Sequence, residues 1–138
     1  MAVPSFKGSF RQRLQADVPL LVLAAAGIDW GKRPDLIAIT DATGITLNIA
    51  ALPNDMHFRG PQGRLEATVS IDVWSGVSHE AADAAARRII AIIQEPATVD
   101  FVQMDAAFVD GPEDSGNQEE TLYVHRSRLV ARVWHALV

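Results

Sequence analysis

The chain has 138 residues and a mass of 15.0 kDa, a size that suits one domain (1–138) with a single hydrophobic core. Its 12 basic and 17 acidic residues leave a net charge of -5, whereas proteins that bind duplex DNA usually carry a basic face. The sequence has no cysteine, which excludes disulfides, thiolate metal sites and cysteine nucleophiles.

The most apolar stretch near the start of the chain, 18–27, is about half as long as the roughly 20 residues that cross a bilayer. It also lacks the charged n-region and small-residue cleavage site of a secretory signal. We therefore expect a protein of the cytoplasm with no membrane partner.

The first elements in chain order are predicted to be a flexible arm and helix. Residues 1–8 contain proline and glycine and indicate a loose arm, and helical spacing begins at Ser9. Asp17 is placed to cap a second short helix over 20–26, which Gly27 would end. One kinked helix fits the same residues equally well.

Short extended segments follow. The sequence predicts an extended segment or loop over 28–34, apolar strand-like runs over 36–40 and 45–52, and a Gly- and Pro-rich loop over 57–63. The clearest strand is 64–74, because apolar and polar residues alternate along it. The apolar face holds Leu65, Ala67, Val69, Ile71 and Val73, and the polar face holds Glu66, Thr68, Ser70 and Asp72.

A long amphipathic helix is predicted from His79 to about Glu95, with Ser78 as its N-cap. Asp83 and Arg87 lie four residues apart on it and should form an ion pair. Its apolar stripe holds Ala82, Ala85, Ala86, Ile89, Ile90 and Ile93.

The last third of the chain is predicted to form two long strands, 99–109 and 121–134, paired antiparallel. Between them, 110–120 carries five acidic and no basic residues, together with glycine and proline, and is predicted to be a solvated acidic loop. These elements together indicate an α+β fold, in which an N-terminal helix and one long helix pack on one face of a mostly antiparallel sheet.

The sequence contains no recognisable catalytic or metal-binding motif. None of the four histidines lies at helical i, i+4 spacing from another: His57, His79, His125 and His135. There is no phosphate-binding glycine loop and no nucleophile elbow. Glu66 and Asp72 are six residues apart on one strand face, too far for a carboxylate pair, and are interpreted as surface charges. We therefore predict no catalytic residue, no metal site and no cofactor.

Three arginines, Arg126, Arg128 and Arg132, share one face of the last predicted strand. Apolar residues of the same face are Leu122, Val124, Val130 and Trp134. One interpretation is an interface that meets carboxylates of another chain or a nucleic-acid backbone. The alternative is a solvated row in which the arginine stems lie on apolar neighbours.

Several segments together resemble the tail terminator (tail completion) family of long-tailed phages, prophages and gene transfer agents. They are 69–75 (VSIDVWS), Glu80-Ala81 with the alanine-rich helix after it, the segment 121–129 after the acidic residues, and Arg33-Pro34 behind an N-terminal helix. The resemblance spans about residues 9–135, and its motifs are structural. Where relatives usually carry a proline-flanked strand, this chain reads 35–38 (DLIA).

This resemblance implies a structural virion protein rather than an enzyme. Such a protein forms a six-fold ring that caps the tail tube, stops its polymerisation and offers a surface to the head connector. The implied partners are further copies of the chain, which would form a hexamer, together with the tail tube protein and the connector or stopper protein. DNA would pass through the ring without specific binding, and the particle would be assembled in the bacterial cytoplasm.

Interface roles are expected for the arginine row and for charged residues of the loop segments. The full set of candidates is Arg59, Asp110, Glu113, Asp114, Glu119, Glu120, Arg126, Arg128 and Arg132. Replacing Arg126 or Arg128 by Glu is expected to weaken assembly and leave the monomer folded. The alternative function is a small α+β ligand-binding module or enzyme subunit with a pocket under the helix.

Overall fold

The structure is a computed structural model that describes residues 5–51 and 65–137. The helices are α1 (Phe6–Gln15), α2 (Val18–Leu23), α3 (Leu36–Ile39) and α4 (His79–Ile93). The strands are β1 (Gly27–Trp30), β2 (Thr43–Ala51), β3 (Leu65–Ser75), β4 (Ala97–Val99), β5 (Val102–Met104), β6 (Phe108–Glu119) and β7 (Leu122–Leu137). They form one seven-stranded sheet in the order β1-β2-β3-β7-β5-β4, with β6 also paired to β7.

The predicted α+β class is confirmed, because the sheet is antiparallel except for the parallel pair β1–β2 and helices pack on it. Helix α4 contacts β3 and β7. Its buried residues match the predicted stripe except for the half-buried Ile90. The Ser78 hydroxyl accepts a hydrogen bond from Ala81 N at 3.1 Å, which confirms the predicted cap. The Asp83–Arg87 ion pair is also confirmed, at 2.8 Å.

The N-terminal helix begins earlier than predicted. Residues 1–4 of the predicted flexible arm lie outside the described residues, but Ser5 caps α1 through Gly8 N, and helix begins at Phe6 rather than at Ser9. Gly8 disfavours helix, but a serine cap and the burial of Phe10 outweigh a single glycine near the helix start. This part of the chain forms two helices, α1 and α2, rather than one kinked helix. The Asp17 carboxylate caps α2 by accepting a hydrogen bond from Leu20 N, as predicted.

The apolar run 36–40 is helical rather than a strand. Residues Leu36–Ile39 form the single turn α3, and the Thr40 hydroxyl donates to Leu36 O at 2.9 Å. Ile39 is completely buried, and its carbonyl accepts a hydrogen bond from Gly76 N. A run of four or five apolar residues does not distinguish a buried strand from a buried helical turn, so tertiary contacts decide between them.

Strand β7 is the centre of the sheet. Along one edge it pairs with β3 over the whole length of that strand, from Leu65↔His135 to Ser75↔His125. Along its other edge it pairs first with β6 and then with β5, both antiparallel. The predicted strand 64–74 and the predicted final strand therefore exist, and they are neighbours.

The predicted strand 99–109 and the predicted acidic loop 110–120 are both wrong. Asp100 and Phe101, with φ of 50° and 66°, form a tight turn that separates β4 from β5. Most of the acidic segment belongs to β6, whose residues face β7 from Phe108↔Arg132 to Glu119↔Leu122. Because acidic residues disfavour strands only weakly, backbone pairing with β7 on both sides of a single bulge outweighs them.

A bulge lies in β6 between Asp110 and Glu113. Gly111 occupies it with φ +110°, and a Cβ atom there would lie 2.6 Å from Arg128 O. The glycine and proline that suggested a loop are thus used for an irregularity inside a strand.

The core lies between the sheet and the helices α1, α2 and α4. Its largest fully buried side chains include Phe10, Leu14, Leu20, Ile45, Ile71, Ile89, Ile93 and Leu129. Arg13 of α1 is buried beside them and donates to the carbonyl oxygens of Ile92 and Glu95 at the end of α4. A cation at the carboxyl end of a helix satisfies carbonyls that have no partner within that helix and favours its dipole.

Asp17 joins two helices. Its carboxylate caps α2 and also accepts two hydrogen bonds from Arg88 of α4, at 2.8 and 2.6 Å. The hydrogen bonds from Arg88, helped by Leu20 N, hold the pKa of Asp17 below its usual range. The contact fixes α2 against the long helix.

We expect Asp17→Ala to lower the free energy of unfolding by about 1 kcal/mol at neutral pH, because the cap and the Arg88 contact are lost together. Since the pKa of Asp17 is lower in the folded state than its unfolded value of about 3.9, its contribution is complete above that value. The contribution disappears as the pH falls through the folded-state pKa. Urea unfolding of both proteins at pH 7 and below pH 4 measures the difference.

Asp83→Ala is the matched control, because it removes one half-buried carboxylate whose partner, Arg87 on the same helix, is exposed. We expect a much smaller loss from it. Equal losses from the two variants at neutral pH would show that Asp17 does not hold α2 on α4.

Candidate functional site

The sheet has a second face, opposite the core, and it carries most of the charged residues predicted to form an interface. We call it the polar face and define it by alternate residues of the paired strands: Thr46 and Asn48 of β2, Glu66, Ser70, Asp72 and Trp74 of β3, Arg126, Arg128 and Arg132 of β7, and Asp110, Glu113 and Ser115 of β6. The register places them side by side because each strand alternates its side chains between the two faces.

Asp72 is the central residue of the polar face. Its carboxylate accepts hydrogen bonds from Arg126 at 2.8 and 2.9 Å, and Arg128 Nε lies 3.9 Å away. Arg128 also donates to the Ser70 hydroxyl at 3.2 Å. Asp72 is only 7% exposed, so the prediction that it is a surface charge is wrong. Long arginines from the neighbouring strand cover it, which spacing along one strand does not reveal.

Two guanidinium groups lie over the ring of Trp74. Arg33 and Arg126 are 5.2 and 4.9 Å from its ring, within the range of cation–π attraction. Arg33 also donates to Glu119 at 2.6 Å, and this hydrogen bond raises the pKa of Arg33 and lowers that of Glu119. Together with Asn117 these side chains line a cleft of about 400 Å³.

The predicted arginine row is present, and each of its members already has a partner within the chain. Arg126 pairs with Asp72, and Arg132 pairs with Glu66 at 2.7 Å. Arg128 is held by Ser70 and lies beside Asp72. The carboxylates that the sequence assigned to another chain are therefore supplied, at least in the free chain, by β3. An interface role for the row remains a prediction.

The acidic candidates are spread along β6 instead of clustering. Asp110 and Glu113 line a smaller cleft of about 200 Å³ with Arg128 and Val130. Asp114 lies on the other side of the strand, where the Ser127 hydroxyl donates to it at 3.2 Å and His79 Nε2 lies 3.0 Å from it. Glu120 has φ 53° in the turn before β7. Arg59 lies outside the described residues.

The histidines of the described residues lie in two places. His79 and His125 have ring centroids 6.4 Å apart, and Tyr123 contacts His125 edge-on. His135 stacks on Phe6, with centroids 4.2 Å apart, and its burial lowers its pKa. Within 5–51 and 65–137, no three histidine, aspartate or glutamate side chains come together to hold a metal ion. His57 lies outside these ranges.

Arg33 and Trp74, which line the larger cleft, are not among the residues that the sequence predicts for the site. In the sequence, Arg33 belongs to the Arg-Pro element and Trp74 ends a predicted strand. A signal for Trp74 was present, because an aromatic residue on the polar face of an alternating strand needs a neighbour that covers its ring. No pattern in the sequence indicates that Arg33 supplies that neighbour across the sheet.

No helix in the described part of the chain is long and apolar enough to cross a membrane. No family model matches the sequence, and no curated protein matches it. Solved structures do resemble it. A chain of the virion of a native gene transfer agent particle superposes with a TM-score of 0.64 at 17% identity, covering 95% of this chain and 94% of that one. A second solved chain has a TM-score of 0.50 at 13% identity and covers 92% of both chains. At these identities the likeness concerns the fold alone.

We expect Asp72→Ala to lower the free energy of unfolding by about 2 kcal/mol, because Arg126 would remain half-buried without its carboxylate. Glu66→Ala is the matched control on the same strand: its partner Arg132 is more exposed, and we expect a loss below about 1 kcal/mol. Urea unfolding measures both. A loss from Asp72→Ala no larger than that of the control would show that the buried pair is not a structural centre.

The same contacts revise one prediction made from the sequence. Arg126→Glu would place a second carboxylate beside Asp72 and remove one of the two guanidinium groups that lie over the Trp74 ring. We therefore expect this variant to destabilise the monomer itself, which makes it unsuitable as a test of assembly.

Proposed function

We propose that the chain is a structural protein of a phage-type particle, such as a phage or a gene transfer agent. The observation that carries this proposal is the end-to-end likeness of its fold to a chain of a gene transfer agent virion, which covers nearly the whole length of both chains. The resemblance of the sequence segments 69–75 and 121–129 to tail terminators points to the same kind of particle. A role in the virion accounts for both.

Within such a particle we propose the tail terminator role. Six copies of the chain would form a ring on the head-proximal end of the tail tube, stop its polymerisation and offer a joining surface to the head connector. DNA would pass through the ring without specific binding, in keeping with the net charge of -5. The ring would be assembled in the bacterial cytoplasm and retained in the virion.

A non-enzymatic role agrees with the chemistry of the polar face. The charged side chains around its larger cleft are engaged with one another, Arg33 with Glu119 and Arg126 with Asp72. Groups held in this way position strands and an indole ring. A general acid or base would need a proton acceptor or donor free to reach a substrate.

The tail terminator role is tested by mixing the purified chain with the tail tube protein of the same particle. We expect tubes polymerised in its presence to be capped at one end and to stop growing, and light scattering of the chain in concentrated solution to give about six times the monomer mass of 15.0 kDa. Arg87→Ala changes one exposed side chain of α4 and serves as a control for unspecific surface effects; this variant should cap tubes as the native chain does.

Tubes of unchanged length and without an end cap would contradict the proposed function. If the chain also remained monomeric and small molecules raised its melting temperature, the alternative of a ligand-binding module would be favoured. The cleft between Arg33, Trp74 and Arg126 would then be the first site to examine.

A further inference from the structure

The two lateral edges of the molecule differ in charge. The strand order places β1 at one side of the sheet; on the other side β6 pairs with β7 from Leu122 to Arg132, and β5 followed by β4 lies beside the end of β7. At the usual spacing of about 4.8 Å between strands, the four steps from β1 through β2, β3 and β7 to β6 separate these edges by about 19 Å along the sheet. They can therefore contact two different neighbours at once.

The β6 side is acidic, and we call it the acidic edge. Residues 108–120 contain no lysine or arginine, and its carboxylates belong to Asp110, Glu113, Asp114, Glu119 and Glu120. Asp110 and Glu113 are exposed, and within the described ranges neither forms an ion pair. The outer backbone edge of β6 likewise has no strand partner among the described residues. An exposed strand edge of this length is a surface on which another chain can dock.

The β1 side is covered by α1 and is basic. Arg11 Nε donates to Ile28 O, and Trp30 Nε1 donates to Lys7 O, both at 2.9 Å, so α1 is fastened along β1. The covering leaves Lys7 over the Trp30 ring, Arg11 beside Asp29, and Lys32 exposed just after the strand. We call Lys7, Lys32 and the Asp29-paired Arg11 the basic edge; its unpaired cations are the two lysines. Backbone pairing by β1 is blocked there, so this side binds through its side chains.

The charges select one mode of self-association. A two-fold dimer through the acidic edges would bring carboxylates against carboxylates, and a dimer through the basic edges would do the same with cations. Contact between unlike edges brings opposite charges together. It also leaves one free edge of each kind on every pair, so further copies can add, and they form a closed ring where the rotation between copies closes.

We propose that copies of this chain associate head to tail, with the acidic edge of one copy against the basic edge of the next. The partner of the acidic edge is thus a second copy of the chain, bound through ammonium and guanidinium groups against carboxylates and strand carbonyls. The proposal rests on the ring of the proposed function and names the surfaces that form it.

Charge reversal tests the pairing directly. One variant carries Asp110→Lys and Glu113→Lys on the acidic edge, and the other carries Lys7→Glu and Lys32→Glu on the basic edge. We expect each variant alone to stay at the monomer mass by light scattering, because the two reversed side chains then carry the same sign of charge as the side chains expected opposite them: Lys7 and Lys32 for the first variant, Asp110 and Glu113 for the second. An equimolar mixture should regain the native mass with alternating subunits, since every contact again joins opposite charges.

Asp35→Lys with Asp41→Lys is the matched control: it changes the net charge as much as the acidic-edge variant does, at the two ends of α3. We expect it to keep the native mass. Circular dichroism establishes that every variant is folded, and the native mass should fall as salt is raised toward 1 M. The proposal is overturned if the native chain stays monomeric at low salt, if either reversed variant assembles as the native chain does, or if folded variants fail to combine when mixed.

These outcomes are separable from failure of the proposed function. If unlike edges pair but the chain does not cap tubes, the equimolar mixture of the two variants regains the native mass while tube length is unchanged. If tubes are capped by a ring built on other surfaces, the reversed variants keep both their mass and their effect on tube length.

Discussion

Strand β7, 16 residues long, is paired along both of its edges: with β3 from His125 to His135, and with β6 and then β5 along the other edge. The other strands of the sheet take their places from this pairing. One edge pairs with β3, which pairs with β2, and β2 in turn pairs with β1. The other edge is longer than β6 alone, so β5 continues where β6 ends. A strand paired on both sides cannot shift its register without exposing its buried alternate residues, such as Leu129 and Val133. This rigidity allows charged residues to be carried on the opposite face.

The polar face depends on the same register. Because Asp72 stands opposite Arg128 and diagonal to Arg126, two arginines of β7 reach one carboxylate of β3. Arg126 of β7 and Arg33 of the loop after β1 both lie over the Trp74 ring. The face is thus a set of mutual contacts that connects β1, β3, β6 and β7. Its charges stabilise the arrangement of strands through direct partners within the chain.

Local patterns predicted the elements that have a strong period or a defined cap. The alternation in β3, the apolar stripe of α4 and the caps Asp17 and Ser78 were all readable, because each depends on residues near one another in sequence. Two errors have a common origin. The acidic β6 and the helical α3 are decided by contacts with distant residues, the β7 backbone and Gly76. The arginines share one face because side chains alternate along a single strand, which the sequence predicts. Their partners Asp72 and Glu66 lie on a different strand, which the sequence does not predict.

The distribution of paired charges limits where this chain can meet another. Six of its 12 basic residues are arginines engaged by its own carboxylates, which lowers the positive charge that a neighbour would encounter: Arg11, Arg33, Arg87, Arg88, Arg126 and Arg132. Within 5–51 and 65–137, the exposed cations that no carboxylate engages include the two lysines near Trp30, and the exposed carboxylates that form no ion pair include Asp110 and Glu113 on the β6 side. An acidic protein can still recognise a copy of itself when the few unpaired cations and the unpaired acids lie on different edges. That separation follows from topology, since α1 covers β1 while β6 closes the other side of the sheet.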